Sequence, residues 1–186
     1  MLLKTISLPN TLKKIGSYAF VGCTSLENIE LPDTSQEGNG LLEIGTYAFN
    51  STGKVQIDGT GLSKLISIGT SAFYRAGSGV VLNSIPKGLH SISGWAFGHC
   101  ENVSINNFEN VNTIGSDAFN GCGRYNTLNI VLPTNLTNYS DGCFKNYAVG
   151  QINTVTYVGG GEVDSTILSR LGITASNPVT IEQVIE

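Results

Sequence analysis

The chain has 186 residues, with 10 lysines and arginines against 14 aspartates and glutamates, and its formal net charge is −4. This length fits one ordinary domain or one short array of repeats. So few cations argue against nucleic-acid binding, which needs a basic surface. The sequence lacks the run of about 18 apolar residues that a membrane span requires. An apolar content of 40% with a small net charge predicts a folded chain.

A hexapeptide recurs six times along the chain. Its first copy, residues 15–20, reads Ile-Gly-Ser-Tyr-Ala-Phe. Further copies occupy residues 44–49, 68–73, 92–97 and 114–119, and a degraded copy occupies residues 139–144. The phenylalanines that end the copies are 22 to 29 residues apart. A repeat of this period indicates a solenoid, because one coil cannot bury its apolar residues alone.

Two further elements recur between the hexapeptides. Apolar residues recur at alternating positions in short segments around residues 3–8, 26–31, 55–57, 103–105, 130–132 and 155–157, although Val131, between Ile130 and Leu132, is apolar as well. This alternation predicts a half-buried strand in each coil, and strands of successive coils would pair in parallel. A leucine or valine also lies three residues before each isoleucine or tyrosine of the motif, which predicts a turn with an inward apolar side chain. The glycine after the isoleucine is expected to adopt a backbone angle that strains larger residues.

The combined pattern resembles the BspA-type leucine-rich repeat. The first coil carries it most completely, as Leu8-Pro9, Leu12, Ile15-Gly16, Ala19-Phe20, Cys23 and Leu26. The resemblance implies a mainly β leucine-rich-repeat solenoid of right-handed coils. A narrow parallel sheet would lie on one side, with turns or short helical segments on the other. Similar repeats occur in bacterial surface antigens, mucosal protozoa and phage-associated proteins, so the repeat indicates a scaffold and leaves the ligand open.

The two ends of the chain differ from the central repeats. We expect about six coils over residues 1–158 and a C-terminal cap, or a linker to another domain, over residues 159–186. Asp164 is expected to cap a short helix that Gly172 ends. Met1 leads directly into the first strand without a secretion signal. The first coil would expose apolar residues at its open end, which predicts a longer parent chain or a partner that covers this coil.

The cysteines and histidines do not form a convincing catalytic or metal site. Cys23, Cys100 and Cys122 each follow a motif phenylalanine by three residues, and Cys143 replaces the motif alanine. Small buried side chains are expected at these positions, although a Cys100–Cys122 disulfide between adjacent coils stays open. His99 precedes Cys100 but should point outward, which argues against a hydrolase or a zinc site. We therefore predict no enzymatic activity, cofactor or metal.

Two surface stripes are candidate partner-binding sites. The solvent face of the predicted sheet carries Glu27, Glu30, Gln56, Ser104, Asn129 and Thr156. The position before the motif alanine carries three aromatic residues, Tyr18, Tyr47 and Trp95. Such aromatic residues suit a protein or glycan partner. The alternatives are a simply solvated sheet face and aromatic residues that shield the edges of the coils.

These features predict a non-catalytic recognition or adhesion module that binds a protein or glycan through the solenoid surface. The expected location is extracellular or at a cell surface. The alternative is a structural or receptor-binding component of a larger assembly, such as a phage tail, a virion or a surface layer. Neither nucleic acid nor membrane insertion is expected.

Overall fold

The computed structural model describes residues 3–30, 32, 38, 40–53, 57–58, 62–77, 80–82, 86–100, 103–105, 108, 110–122, 128–132, 138–145, 152–158, 165–173 and 180–184. Short parallel strands of two kinds alternate along the chain. One kind comprises β2 (Lys14–Ile15), β4 (Glu43–Ile44), β6 (Ser67–Ile68), β8 (Ser91–Ile92) and β10 (Thr113–Ile114). The other comprises β1 (Thr5–Ser7), β3 (Asn28–Glu30), β5 (Ile57–Asp58), β7 (Val80–Leu82), β9 (Val103–Ile105), β11 (Leu128–Leu132), β12 (Ile152–Val158) and β13 (Thr180–Val184). A helix, α1 (Ser165–Leu171), precedes β13.

The isoleucine that begins each hexapeptide lies on the first kind of strand. These strands form a parallel sheet in the order β10-β8-β6-β4-β2, so each coil pairs with its neighbours in the chain. Ile44 is in register with Ile15 on one side and with Ile68 on the other. A bridge between Ile114 and Tyr139 extends the ladder into the sixth coil. The sequence analysis placed this segment in a turn, because a strand of two residues is too short to show alternation.

The second kind of strand corresponds to the segments in which alternation predicted strands. They pair in parallel in three groups, β1-β3, β5-β7-β9 and β11-β12-β13. β7, whose three residues are all apolar, is not among the predicted strands. Residues 180–184, in the predicted cap or linker, form β13. The leucine-rich-repeat solenoid with parallel β-structure is thus confirmed.

The motif phenylalanines form the centre of the core. Consecutive rings are stacked with centroids 5.2 to 5.3 Å apart and interplanar angles of 5° to 14°. Five of the six rings are fully buried, whereas Phe20 of the first coil is only partly buried. Phe108, which the repeat pattern did not identify, packs edge-on against Phe119 and Phe144. Each fully buried phenylalanine side chain stabilises the fold by about 1.5–3 kcal/mol, so this stack ties every coil to the next.

In the second, third and fifth coils the glycine after the motif isoleucine packs closely against the preceding coil, whereas the fourth and sixth coils carry Ser93 and Ser140 at this position. The expectation of an unusual backbone angle was wrong, because φ at Gly45, Gly69 and Gly115 lies outside the left-handed region. A Cβ added to Gly69 would instead lie 2.5 Å from the Thr46 nitrogen of the preceding coil. Gly16 of the first coil has no atom within 4 Å of its Cβ position. The glycine therefore lets the backbones of two coils touch.

The C-terminal residues pack against the sixth coil. The nitrogens of Gly142 and Phe144 donate to the carbonyls of Arg170 and Leu171, at 2.8 and 2.9 Å. Gly172 ends α1 with φ of +85°, as expected for a glycine cap. Asp164, the expected N-cap, lies outside the described residues, and the division of the chain at residue 158 stays a prediction. Within the described part, no helix is both long and apolar enough to cross a membrane.

Candidate functional site

Each of the first five coils turns through two residues in the left-handed αL conformation, and the described part of the sixth coil contains one. We call the residue before the motif alanine the first αL position and the second residue after the motif phenylalanine the second αL position. The first αL positions have φ of 52° to 71° and are Tyr18, Tyr47, Ser71, Trp95, Asp117 and Gly142. The second αL positions have φ of 52° to 69° and are Gly22, Ser51, Arg75, His99 and Gly121. Eight of these eleven residues are not glycine.

The αL conformation serves a hydrogen-bond ladder between coils. In the first four coils, the backbone N–H groups of both αL positions and of the motif phenylalanine donate to carbonyls of the next coil. In the fourth coil, for example, Trp95, Phe97 and His99 donate to carbonyls of the fifth coil at 3.0, 2.8 and 2.7 Å. Each such bond contributes about 0.5–1.5 kcal/mol net. The ladder fixes the backbone of the turn whatever side chain it carries.

Bulky side chains at the αL positions have an energetic cost. For an L-residue the left-handed conformation costs roughly 1–2 kcal/mol because Cβ approaches the following carbonyl oxygen. Gly22, Gly121 and Gly142 avoid this cost at equivalent positions. The chain nevertheless places tyrosine, tryptophan, arginine and histidine there. Strained residues of this kind are concentrated at functional sites, which makes the αL positions the strongest candidate site in the described structure.

The predicted row of aromatic residues is divided into two parts. Tyr18 and Tyr47 stack with ring centroids 5.3 Å apart and an interplanar angle of 10°. Tyr18 is 62% exposed and its partner is partly buried. Ser71 of the third coil is 5% exposed and interrupts the row. Trp95 therefore lies apart from the tyrosine pair.

Trp95 belongs to a second group of outward side chains. The Trp95 cluster comprises Tyr74, Arg75, Trp95 and His99. The Tyr74 ring is nearly perpendicular to the rings of Trp95 and His99, with centroids 5.7 and 5.5 Å away. The indole and imidazole planes are 29° apart, with centroids 6.1 Å apart. The guanidinium carbon of Arg75 lies 5.3 Å from the centre of the Tyr74 ring, within cation–π range.

A glycine supports this cluster from below. A Cβ added to Gly98 would lie 2.7 Å from Trp95 Cε3 and 3.0 Å from Tyr74 Cδ2, so both rings rest directly on its backbone. Arg75 and His99 are exposed, while the two larger rings are partly buried. The sequence analysis did not select Tyr74, Arg75 or His99 as partner-binding residues. The signal that identifies two of them is their shared place in the repeat with glycines 22 and 121.

The predicted sheet-face residues are only partly placed by the structure. Glu27 is exposed and its carboxylate lies 3.9 Å from the ammonium of Lys4. Glu30, Ser104, Asn129 and Thr156 lie on β3, β9, β11 and β12, and Gln56 lies outside the described residues. Ser104 is in register with Val81 of β7. Their role in binding stays a prediction.

The cysteines occupy buried positions in which their thiols are unreactive. All four thiols are free. Cys100 Sγ donates to the Phe73 carbonyl at 2.7 Å, and Cys122 Sγ donates to the Phe97 carbonyl at 2.6 Å. Each of these two thiols thus bonds to the preceding coil, and the disulfide that stayed open is not formed. Burial raises the pKa of Cys122 and of Cys143 to about 12 and raises that of Cys100 as well.

The geometry does not support nucleophilic or metal chemistry at these thiols. The thiolate is the reactive form, and burial opposes its formation. His99 is exposed whereas Cys100 is fully buried, so the two side chains lie on opposite sides of the backbone. Among the described residues, no group of three histidine, cysteine, aspartate or glutamate side chains is placed to bind a metal ion.

Comparison with known proteins identifies the repeat. The family model described as the BspA type leucine rich repeat region matches in six copies, over residues 2–76 and 42–167. Repeats of this family are generally non-catalytic. A search of the curated proteins and of the solved structures finds no significant match.

Proposed function

Because the chain belongs to the BspA-type leucine-rich-repeat family, we propose that it is a non-catalytic recognition or adhesion module. It binds a protein or glycan through the surface of the solenoid, outside the cell or at a cell surface. The family supports a protein-interaction role. The ligand-binding residues are drawn from the αL positions, above all Tyr18, Tyr47 and Trp95, and from the predicted sheet face.

The observation that carries this proposal is the display of bulky side chains from strained backbone positions. The hydrogen-bond ladder and the phenylalanine stack hold these positions on a rigid support. Rigid aromatic side chains lose little conformational entropy when a ligand binds, which favours affinity. Binding of this kind needs neither a nucleophile nor a cofactor.

A binding screen tests the proposal. The purified chain is immobilised and probed by biolayer interferometry against a glycan array and a panel of cell-surface and matrix proteins. One variant replaces Tyr18, Tyr47 and Trp95 by serine, the residue that the third coil carries at this position. We expect at least one ligand that the wild type binds and this variant does not.

Two controls make the screen decisive. Replacement of the exposed Lys87 by glutamine should leave binding unchanged. A second variant, with Glu27→Gln and Thr156→Ser, tests the sheet face separately. Failure of the wild type to bind any component of either panel would contradict the recognition function.

A second candidate function is a structural component of a larger assembly, for example a virion or a surface layer. The first coil favours it, because motif side chains that are buried in the other described coils are exposed or only partly buried here. Ala19 is exposed, whereas its four counterparts in coils two to five are fully buried. Phe20 is likewise the only partly buried ring of the described stack.

Light scattering after size-exclusion chromatography tests the assembly function. An assembling chain should show a mass above that of the monomer at micromolar concentration. Ala19→Arg should abolish this association, whereas Ser116→Arg, at an exposed residue of the fifth coil, should not. A wild-type monomer at all concentrations would contradict self-assembly through this face.

A further inference from the structure

We infer that the Trp95 cluster binds a sugar that carries a carboxylate, such as a uronic acid. This inference rests on the proposed recognition function and names the ligand class for one of its surfaces. It starts from the close placement of aromatic rings, Tyr74 and Trp95, beside the exposed guanidinium of Arg75 on two adjacent coils, the third and the fourth.

The aromatic part of the cluster suits the apolar face of a sugar ring. Trp95 and Tyr74 meet at an interplanar angle of 71°, and both rings are partly buried. Gly98 fills the space beneath both rings, which leaves them little freedom to turn inward. Aromatic side chains held in this way offer a large apolar surface with a polar edge. The C–H bonds on one face of a pyranose ring pack against such a surface.

The charge of the cluster favours an acidic ligand. Arg75 is exposed and lies over the Tyr74 ring. A guanidinium presents a planar set of donors that matches a carboxylate in a bidentate arrangement. Asp117, which follows Trp95 at the first αL position of the next coil, accepts a hydrogen bond from Asn120 Nδ2 at 2.6 Å. Its carboxylate is thus engaged within its own coil.

The backbone of the cluster disfavours an extended peptide as the ligand. A peptide that adds a strand needs free N–H and carbonyl groups at the edge of its receptor. The N–H groups of Arg75, Trp95 and His99 all donate to the next coil, at 2.9, 3.0 and 2.7 Å. The carbonyl of Trp95 accepts from the Gly98 nitrogen at 3.0 Å. Recognition therefore depends on side chains, which suits a sugar ring better than a peptide backbone.

The charge of the whole chain disfavours nucleic acid, the other anionic ligand that stacks on aromatic rings. Binding of a polyphosphate needs several cations along the groove. The net charge of the chain is −4, and the cluster contains one arginine. One carboxylate on one sugar ring matches this arrangement.

Trp95 is the only tryptophan in the sequence, so its fluorescence reports on the cluster directly. The full chain is titrated with methyl β-glucuronide and with methyl β-glucoside, which differ only in the carboxylate. We expect the fluorescence to change with the glucuronide and the glucuronide to bind about three- to fivefold more tightly, the contribution of one exposed ion pair.

Two variants taken from other coils separate charge from stacking. Arg75→Gly introduces the residue found at this position in the first and fifth coils, and it should remove the preference for the glucuronide. Tyr74→Asn introduces the residue that follows the motif phenylalanine in the second and fifth coils. It should weaken both sugars by about threefold, in proportion to the lost aromatic contact. Lys87→Gln, at an exposed residue outside the αL positions, should leave both titrations unchanged.

Three results would overturn the inference. Equal affinity for the two glycosides would show that the carboxylate is not recognised. A response to a hexaglutamate peptide without a response to the glucuronide would show that the ligand is an acidic peptide. No response to any of the three probes would exclude this surface as an acidic-sugar site. In each case the recognition function is judged separately, because the biolayer screen covers proteins and glycans of many classes and does not use Trp95 fluorescence as its readout.

Discussion

Substitution of the motif glycine by alanine measures how closely two coils approach. At Gly69 the added Cβ would lie 2.5 Å from the Thr46 nitrogen and 2.7 Å from the Gly45 carbonyl carbon. Both atoms belong to backbone, which cannot rotate away as a side chain does. Relief requires the second and third coils to separate, and this stretches the 2.8 Å bond from the Gly69 nitrogen to the Ile44 carbonyl. Overpacking costs about 1–3 kcal/mol, and a weakened hydrogen bond adds about 1 kcal/mol.

The first coil supplies a matched control for this substitution. Gly16 occupies the same place in the motif, and no atom lies within 4 Å of its Cβ position. Its φ is also outside the left-handed region, so alanine fits the backbone. We expect Gly16→Ala to change the free energy of unfolding by less than about 0.5 kcal/mol. We expect Gly69→Ala to lower it by about 2–4 kcal/mol.

Urea denaturation followed by Trp95 fluorescence and by circular dichroism measures both variants. The two probes should agree for the wild type if the coils unfold together. Equal midpoints for Gly69→Ala and Gly16→Ala would refute the contact between coils as the reason for the glycine. A loss of stability in Gly16→Ala alone would do the same, since no described atom lies within 4 Å of the Gly16 Cβ position.

Three further predictions concern the core, the thiols and the αL positions. Phe97→Ala should lower the free energy of unfolding by about 3–5 kcal/mol, because the ring is fully buried in mid-stack; Phe20→Ala should cost clearly less in the same urea titration, and equal losses would contradict the stack. In the folded chain the pKa of the Cys122 and Cys143 thiols is about 12. In the unfolded chain a thiol pKa is about 8.5, so between these two pH values the unfolded thiols lose protons that the folded thiols keep. Stability is therefore full below about pH 8.5 and should fall by about 1.4 kcal/mol per pH unit per thiol between there and pH 12. Urea midpoints measured from pH 8 to pH 10.5 check this slope. The double alanine variant of these cysteines should have a smaller slope, and an unchanged slope would contradict the role of the two thiols. Ser51→Gly should raise the melting temperature, because glycine removes a strain of roughly 1–2 kcal/mol, and a lower melting temperature would show that φ of 53° is not strained.

The buried part of the repeat could be predicted from the sequence because it recurs. An apolar residue at the same place in every coil must face the shared core, and this holds for the isoleucine and phenylalanine positions. The αL conformation could not be predicted in the same way. Tyrosine and tryptophan at those places contradict the local preference for glycine. The signal lay in Gly22, Gly121 and Gly142, which share those places with bulky residues in other coils.

The Trp95 cluster was harder to predict than the core. Tyr74 occurs in one coil only, so no recurrence marks it, and its contact with Trp95 joins two coils that are adjacent in space. The stacking of Tyr18 on Tyr47 could be predicted from the sequence, because both residues occupy the same place in consecutive coils. The sequence shows that serine replaces an aromatic residue at Ser71. It could not predict that Ser71 is buried, because this burial depends on the neighbouring coils.

The hydrogen-bond ladder separates the requirements of folding from those of recognition. Backbone N–H groups at the αL positions bond to the next coil in the first coil, where Gly22 is present, as they do in the fourth, where His99 is present. Replacing an exposed side chain at such a position therefore leaves the backbone bonds between coils in place and changes the surface. By contrast, the phenylalanine, the isoleucine and the motif glycine each contact a neighbouring coil, so their substitution affects two coils at once. A repeat built this way can acquire new ligands by changes at two positions per coil while its core stays fixed, which is why the ligand is to be sought at those positions.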